Sequence, residues 1–111
     1  MKERYIGLMD KTLDAYSHEH ILDYFERVKK EGLTEHGFPR LTANIGILIA
    51  FGRRRELTSL FSEMMDFVIE SFPHGKAAND FSVKEVVFCL MALEERGGVE
   101  KKKIDEWKEG L

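Results

Sequence analysis

Apolar and polar positions along the chain repeat with the period of α-helices, and they predict about six helices and no strand. The first helix is predicted over residues 3–15. The second has Ser17 as its N-cap and runs to about Glu31, where Gly32 ends it. Its apolar residues form one stripe opposite its charged residues, which predicts a helix with a single buried face.

The third and fifth predicted helices are apolar on nearly every side. The third spans residues 40–51, and the fifth begins at Ser82 and ends at Gly97–Gly98. Ser82 and Glu85 have the spacing of a capping box, in which a hydroxyl and a carboxylate each satisfy an amide of the first turn. A helix that is apolar all round must be covered all round. Both helices are therefore predicted to be enclosed by other helices.

The remaining elements complete an all-α prediction. A fourth, one-faced helix is predicted over 54–72, a loop over 73–81 and a last helix over 101–109. Pro39 and Pro73 are predicted helix boundaries, because proline removes a donor and disfavours helix in the residue before it. The two apolar helices are centred about forty residues apart, the size of a helical-hairpin repeat. Residues 1–111 are predicted to form one helical domain of antiparallel hairpins, the N-terminal part of a larger solenoid-like array.

Composition narrows the class of protein without naming a function. Of the 111 residues, 43% are hydrophobic and 33% charged, and the net charge is −3, which is typical of a soluble globular domain. The negative charge disfavours a nucleic-acid partner. No apolar run approaches the roughly 20 residues of a membrane span, and no signal peptide is evident. We therefore expect no membrane partner and a cytoplasmic location.

No arrangement of residues in the chain is typical of an enzyme. His18 and His20, the densest histidine cluster, point to roughly opposite sides of a helix, so we expect no metal site. Cys89 is the only cysteine and lies in an apolar run, where we expect a buried, unreactive thiol. The arginines at 53–55 could bind a phosphate or carboxylate, although a solvated helix junction is the commoner explanation. We predict no catalytic residue and no cofactor.

Candidate ligand-binding residues come from two polar segments, one at the start of each apolar helix. His36, Arg40 and Asn44 belong to the first segment and Asn79 to the second. The first three side chains could bind an acidic or hydroxylated ligand. If the third and fifth helices are parallel neighbours, both segments lie at one rim, which would suit a carbohydrate or a peptide. The simpler interpretation is structural, with Phe38 packed on the core, His36 solvated and the second segment capping the fifth helix.

The chain resembles the N-terminal part of large bacterial proteins of the heparinase II/III-like polysaccharide lyase type. The resemblance follows the helix order and three stretches, HGFPRLTAN at 36–44, the arginines at 53–55 and NDFS at 79–82. It implies an α/α toroid of helical hairpins with a substrate groove at one end of the inner helices. Such lyases carry their catalytic Tyr and His on later helices, so no catalytic residue is transferred to this chain. The chain alone is expected to lack lyase activity, whereas a longer parent could be a lyase.

Two functional hypotheses follow. The first is a non-catalytic helical segment of a polysaccharide-acting or polysaccharide-binding α/α-toroid protein, with an acidic polysaccharide as its ligand. The alternative is a helical-hairpin protein–protein interaction module without enzymatic activity, which predicts a contiguous exposed apolar strip. Few helices remain to cover the two apolar ones, so we also expect C-terminal helical neighbours or self-association. A stand-alone regulator would need a dimer for the same reason.

Overall fold

A computed structural model describes residues 2–33, 35–72 and 80–111, apart from the side chains of Lys2 and of residues 80–82. Within these ranges the chain is all-α, with six α-helices, one 3-10 turn and no strand, which confirms the predicted class. The elements are α1 (Lys2–Leu13), α2 (His18–Glu31), α3 (Gly37–Ala50), the 3-10 turn (Arg55–Leu57), α4 (Thr58–Ser71), α5 (Asp80–Arg96) and α6 (Lys101–Glu109). Their closure into a toroid stays a prediction.

Local signals located several helix ends correctly. Ser17 caps α2, because its Oγ accepts a hydrogen bond from the backbone N–H of His20 at 3.1 Å. Gly32 ends the same helix with φ of 92°. Gly97 and Gly98 follow α5 with φ of 84° and 105°, a region that strongly favours glycine. The last helix also has its predicted bounds.

The start of α3 differs from the prediction, because the helix begins at Gly37 rather than near Arg40. Pro39 therefore lies in the first turn and is not a boundary. Amides of the first turn have no intrahelical acceptor, so a proline there removes no helical hydrogen bond. The early start places Phe38 inside the helix, fully buried in the core as the structural interpretation expected.

The start of α5 also differs, and the predicted capping box is wrong. The helix begins at Asp80, so Ser82 lies inside it rather than at its N-cap position. Glu85 bonds across the fold instead, where its Oε1 accepts a hydrogen bond from Nε of Arg40 at 2.9 Å. Residues 73–79 of the predicted loop lie outside the described part of the chain.

The start of α4 is delayed by the backbone after α3. Arg54 adopts φ of 53°, and the chain then makes a 3-10 turn before α4 begins at Thr58. The predicted start at residue 54 is therefore too early. A left-handed residue interrupts a helix even where the side-chain pattern continues.

The centre of the fold is α3, which contacts α1, α2, α4 and α5. Its apolar character is matched by burial as predicted, and its buried residues are Phe38, Pro39, Thr42, Ala43, Ile45, Gly46, Leu48, Ile49 and Ala50. Gly46 allows a close approach of α3 to two neighbouring helices. A Cβ there would lie 2.6 and 2.7 Å from ring carbons of Phe61 in α4, and it would also overlap Sγ of Cys89 in α5. The three helices meet at this point because residue 46 has no side chain.

The helices α3 and α5 lie side by side and run in the same direction. Arg40 bonds Glu85 near their N-terminal ends. Near their C-terminal ends, the guanidinium carbon of Arg96 lies 3.8 Å from the centre of the Phe51 ring. The parallel arrangement that the site hypothesis required is therefore present.

A cluster of charges attaches α1 to the end of α3. Asp10 accepts hydrogen bonds from Nη1 of Arg53, at 2.9 Å, and from Nε of Arg54. Arg54 also bonds Asp14 and the backbone oxygen of Asp10. The hydrogen bond from Arg53, together with those from Arg54, holds the pKa of Asp10 below its ordinary value. Arg53 and Arg54 therefore connect α1 to the residues after α3, while Arg53 and Arg55 are exposed, as expected for a solvated helix junction.

Candidate functional site

The outer face of α5 is apolar and exposed. The inner face packs on the core through Val86, Cys89, Leu90 and Leu93, which are all buried. On the outer face, Val87, Phe88 and Met91 are exposed to 38%, 64% and 57%. The prediction that α5 is covered on all sides is therefore wrong for the described part of the chain. The apolar residues of α5 lie on two faces of the helix, and only the inner face packs on the core.

A groove with a volume of about 990 Å³ lies between this face of α5 and α1, with α3 between them. We call it the α1–α5 groove. Its lining consists of Tyr5 and Ile6 from α1, of Arg40, Ala43, Asn44, Ile47 and Phe51 from α3 and its C-cap, and of Glu85, Phe88, Met91, Ala92, Glu95 and Arg96 from α5. Tyr5 is 61% exposed. The groove thus brings Tyr5, Phe88 and Met91 together on one open surface.

Charges of both signs lie at the two ends of the groove. At one end Arg40 bonds Glu85, whose Oε2 is buried without a hydrogen-bond partner among the described residues. At the other end Arg96 stacks on Phe51, and the exposed Glu95 also lines the groove. The middle of the groove is apolar, so its chemistry suits a ligand with an apolar centre.

The structure brings together two of the four predicted site residues. Arg40 and Asn44 lie one turn apart on α3 and both line the groove. His36 is the exposed N-cap residue of α3, and its side chain does not cap a helix amide. Asn79 lies outside the described residues, so its part in the site stays a prediction. Arg40 and Asn44 are therefore neighbours in the groove, with Arg40 already bonded to a carboxylate, and a ligand-binding rim of all four residues stays a prediction.

A second cavity, of about 440 Å³, shares Tyr5, Arg40 and Asn44 with the groove. It extends along α1 towards Leu8 and Tyr16, which are exposed to 57% and 52%. Exposed apolar side chains therefore continue from α5 across Tyr5 to the C-terminal end of α1. This continuity makes a surface larger than either cavity alone.

Sequence reasoning missed the three exposed side chains that define the groove. Tyr5 has no distinguishing signal in the sequence, and Phe88 and Met91 lie in an apolar run that predicts a fully covered helix. A usable signal was present in α5, because a run of apolar residues with no polar face requires more covering helices than this chain supplies. The apolar run predicts missing neighbouring helices, but it does not identify which face of α5 is exposed.

The described residues offer little for covalent or metal chemistry. Burial raises the pKa of the Cys89 thiol, which is fully buried as predicted. Burial and the hydrogen bond donated to Glu35, at 2.6 Å, raise the pKa of the Tyr24 hydroxyl, so it is poorly placed to act as a base. No group of three His, Cys, Asp or Glu side chains in the described ranges could hold a metal ion.

Comparison with protein-family models, with curated proteins and with solved structures finds no match to this chain. The resemblance to heparinase II/III-like proteins therefore stays a prediction. None of the helices in the described part of the chain is long and apolar enough to cross a membrane.

Proposed function

We propose that the chain is a protein–protein interaction module that binds an apolar helical segment of a partner protein in the α1–α5 groove. The observation that supports this proposal is the exposure of Tyr5, Phe88 and Met91, to 61%, 64% and 57%, along one groove. Single exposed apolar residues are ordinary, whereas a contiguous group typically marks an interaction surface.

The residue types support a protein ligand. Aromatic residues and methionine are enriched in protein interfaces, because they provide large contact areas and, for methionine, an adaptable shape. Small-molecule sites usually enclose most of their ligand. Here the main apolar side chains are more than half exposed, which suits a ligand that brings its own extended surface. An amphipathic helix lying along a groove is a common form of such a ligand.

The polysaccharide hypothesis remains a second proposal, with less support. It depends on Arg40, Asn44, His36 and Asn79 as rim contacts. An acidic sugar would have to compete with Glu85 for Arg40, and Glu95 adds a further negative charge to the lining. The groove between these charges is apolar, which favours the protein ligand.

The test is a selection of amphipathic helical peptides displayed on phage against the immobilised chain. We expect the selected peptides to carry apolar anchors with i, i+3, i+4 and i+7 spacing. Phe88→Ala and Met91→Ala should each weaken binding of a selected peptide at least about tenfold, because the proposal makes both side chains central apolar anchors. Leu22→Ala is the matched control, because Leu22 is 37% exposed on α2 and does not line the groove.

Two results would overturn the proposal. One is a selection whose peptides bind the two groove variants as tightly as the unmodified chain. The other is titration of heparin oligosaccharides showing binding that Arg40→Ala and Asn44→Ala abolish while the Phe88 and Met91 variants leave it intact. That second result would support the polysaccharide hypothesis in its place.

A further inference from the structure

The outer face of α5 carries a short, regular stripe of exposed residues. Lys84, Phe88, Met91 and Glu95 are spaced by four, three and four residues, and all four are exposed. This spacing keeps them on one side of a helix. The stripe is basic at its N-terminal end, apolar in the middle and acidic at its C-terminal end, and it is about 17 Å long at 1.5 Å per residue.

Two copies of such a stripe are complementary to each other when they run antiparallel. If two copies of α5 lie antiparallel, with a two-fold axis between Phe88 and Met91, each Phe88 contacts the partner's Met91. Each Lys84 then faces the partner's Glu95, so the same ion pair forms twice. A two-fold axis makes such an interface closed and self-complementary. A parallel pair in register would instead oppose each Lys84 with the partner's Lys84.

We propose that the groove's helical ligand is α5 of a second copy of this chain, bound antiparallel to form a two-fold dimer; this inference rests on the proposed function. Charge complementarity supports a second copy as the occupant of the groove. Each charged end of the stripe is paired by the opposite charge at the other end of the partner's stripe. Tyr5 lies in the same groove and adds aromatic surface beside Phe88.

The flanking charges are compatible with this arrangement. Glu85 comes near the partner's Glu94, but each carboxylate has its own cation. Glu85 accepts a hydrogen bond from Arg40, and Glu94 accepts one from Lys108. The hydrogen bond from Lys108 also lowers the pKa of Glu94. The ion pairs at the stripe ends therefore determine the preferred register.

The experiment measures the solution mass of the chain by light scattering over a concentration series, with charge reversals at the two ends of the stripe. Lys84→Glu and Glu95→Lys should each weaken dimerisation by about tenfold or more, because each places like charges opposite one another twice. The double variant K84E/E95K should dimerise nearly as well as the unmodified chain, since its stripe is again self-complementary. Mixing the two single variants should produce a heterodimer.

These variants separate the possible outcomes. Both sites are exposed, and a thermal melt by circular dichroism checks that each variant folds. The proposal is overturned if the unmodified chain stays monomeric at about 1 mM, or if neither the double variant nor the mixture restores association. A monomeric chain that still binds selected peptides through Phe88 and Met91 would overturn the dimer alone. Loss of peptide binding as well would overturn the proposed function too.

Discussion

The helices α3 and α5 each contain a long apolar run and lie side by side, yet α3 is much more enclosed than α5. Four helices contact α3, and among its large apolar side chains Ile45, Leu48 and Ile49 are almost completely buried. On α5, Phe88 and Met91 are more than half exposed. The comparison shows that apolar side chains all round a helix predict a requirement for cover, and that a neighbouring molecule can provide it. The open face is therefore where function is most reasonably sought.

Truncating one apolar side chain in each helix should produce the largest difference in stability between a variant of α3 and a variant of α5. Leu48→Ala should cost about 3 kcal/mol of unfolding free energy, because it leaves a cavity at a residue that is 1% exposed. Met91→Ala should cost less than about 0.5 kcal/mol, since the side chain already contacts solvent. Urea denaturation at dilute protein concentration, where any dimer dissociates, measures both. Equal costs would mean that α5 is as enclosed as α3.

Adding a methyl group at the crossing of α3 with α4 and α5 should have the next largest effect. Gly46→Ala places a carbon against the Phe61 ring and Cys89, and we expect a loss of about 2 kcal/mol. Gly7→Ala is the control, because a Cβ there meets nothing within 4 Å. In a helix that change should increase stability by about 0.5 kcal/mol. A harmless Gly46→Ala would show that the helices are farther apart than described.

Weakening the contact between α1 and α3 should increase the solvent exposure of α3 and make it more similar to that of α5. Asp10→Asn removes the charge that Arg53 and Arg54 bond, and it should cost about 1 kcal/mol given that all three side chains are partly exposed. Asp23→Asn on the exposed side of α2 should change stability by less than about 0.5 kcal/mol. Urea denaturation compares the two, and a rise in binding of an apolar dye would report exposure of α3.

The same contact should be sensitive to acid. The pKa of Asp10 is lowered below 3.8 in the folded chain, so its contribution is present above that value and is lost as pH falls through the lower folded value. The stability difference between the unmodified chain and Asp10→Asn should therefore shrink progressively as the pH falls below about 5. Denaturation series at several pH values measure it. A difference that grows on acidification would contradict the assignment.

Elements with local signals could be predicted from the sequence, and elements decided by distant contacts could not. Ser17 and Gly32 act on their own helix, so the bounds of α2 followed from neighbouring residues. The start of α5 could not be located in that way, because Glu85, the expected capping partner, bonds Arg40 on another helix. Pro39 misled for a different reason, since a first-turn proline and a helix-ending proline have the same sequence signature.

The candidate site was partly predictable for a similar reason. Arg40 and Asn44 were identified because they are polar residues at the start of an apolar helix, and both line the groove. Phe88 and Met91 were assigned to the core because periodicity shows that a residue is apolar without showing which face is covered. Which face of α5 remains open depends on where α1 lies. The helix α1 is held by Ile6 and Leu13, which are buried in the core, and by the bonds of Asp10 to the two arginines.

The position of Cys89 allows local opening of the fold to be measured through the reactivity of a native thiol. It is the only cysteine, it is buried, and its sulfur lies against Gly46 between α3 and α5. A thiol reacts with alkylating reagents only when it is accessible and ionised. Its labelling rate therefore measures how often the contact between α3 and α5 opens. No engineered probe is required. Slower labelling at higher protein concentration would show that cover on the outer face of α5 also holds the inner face closed.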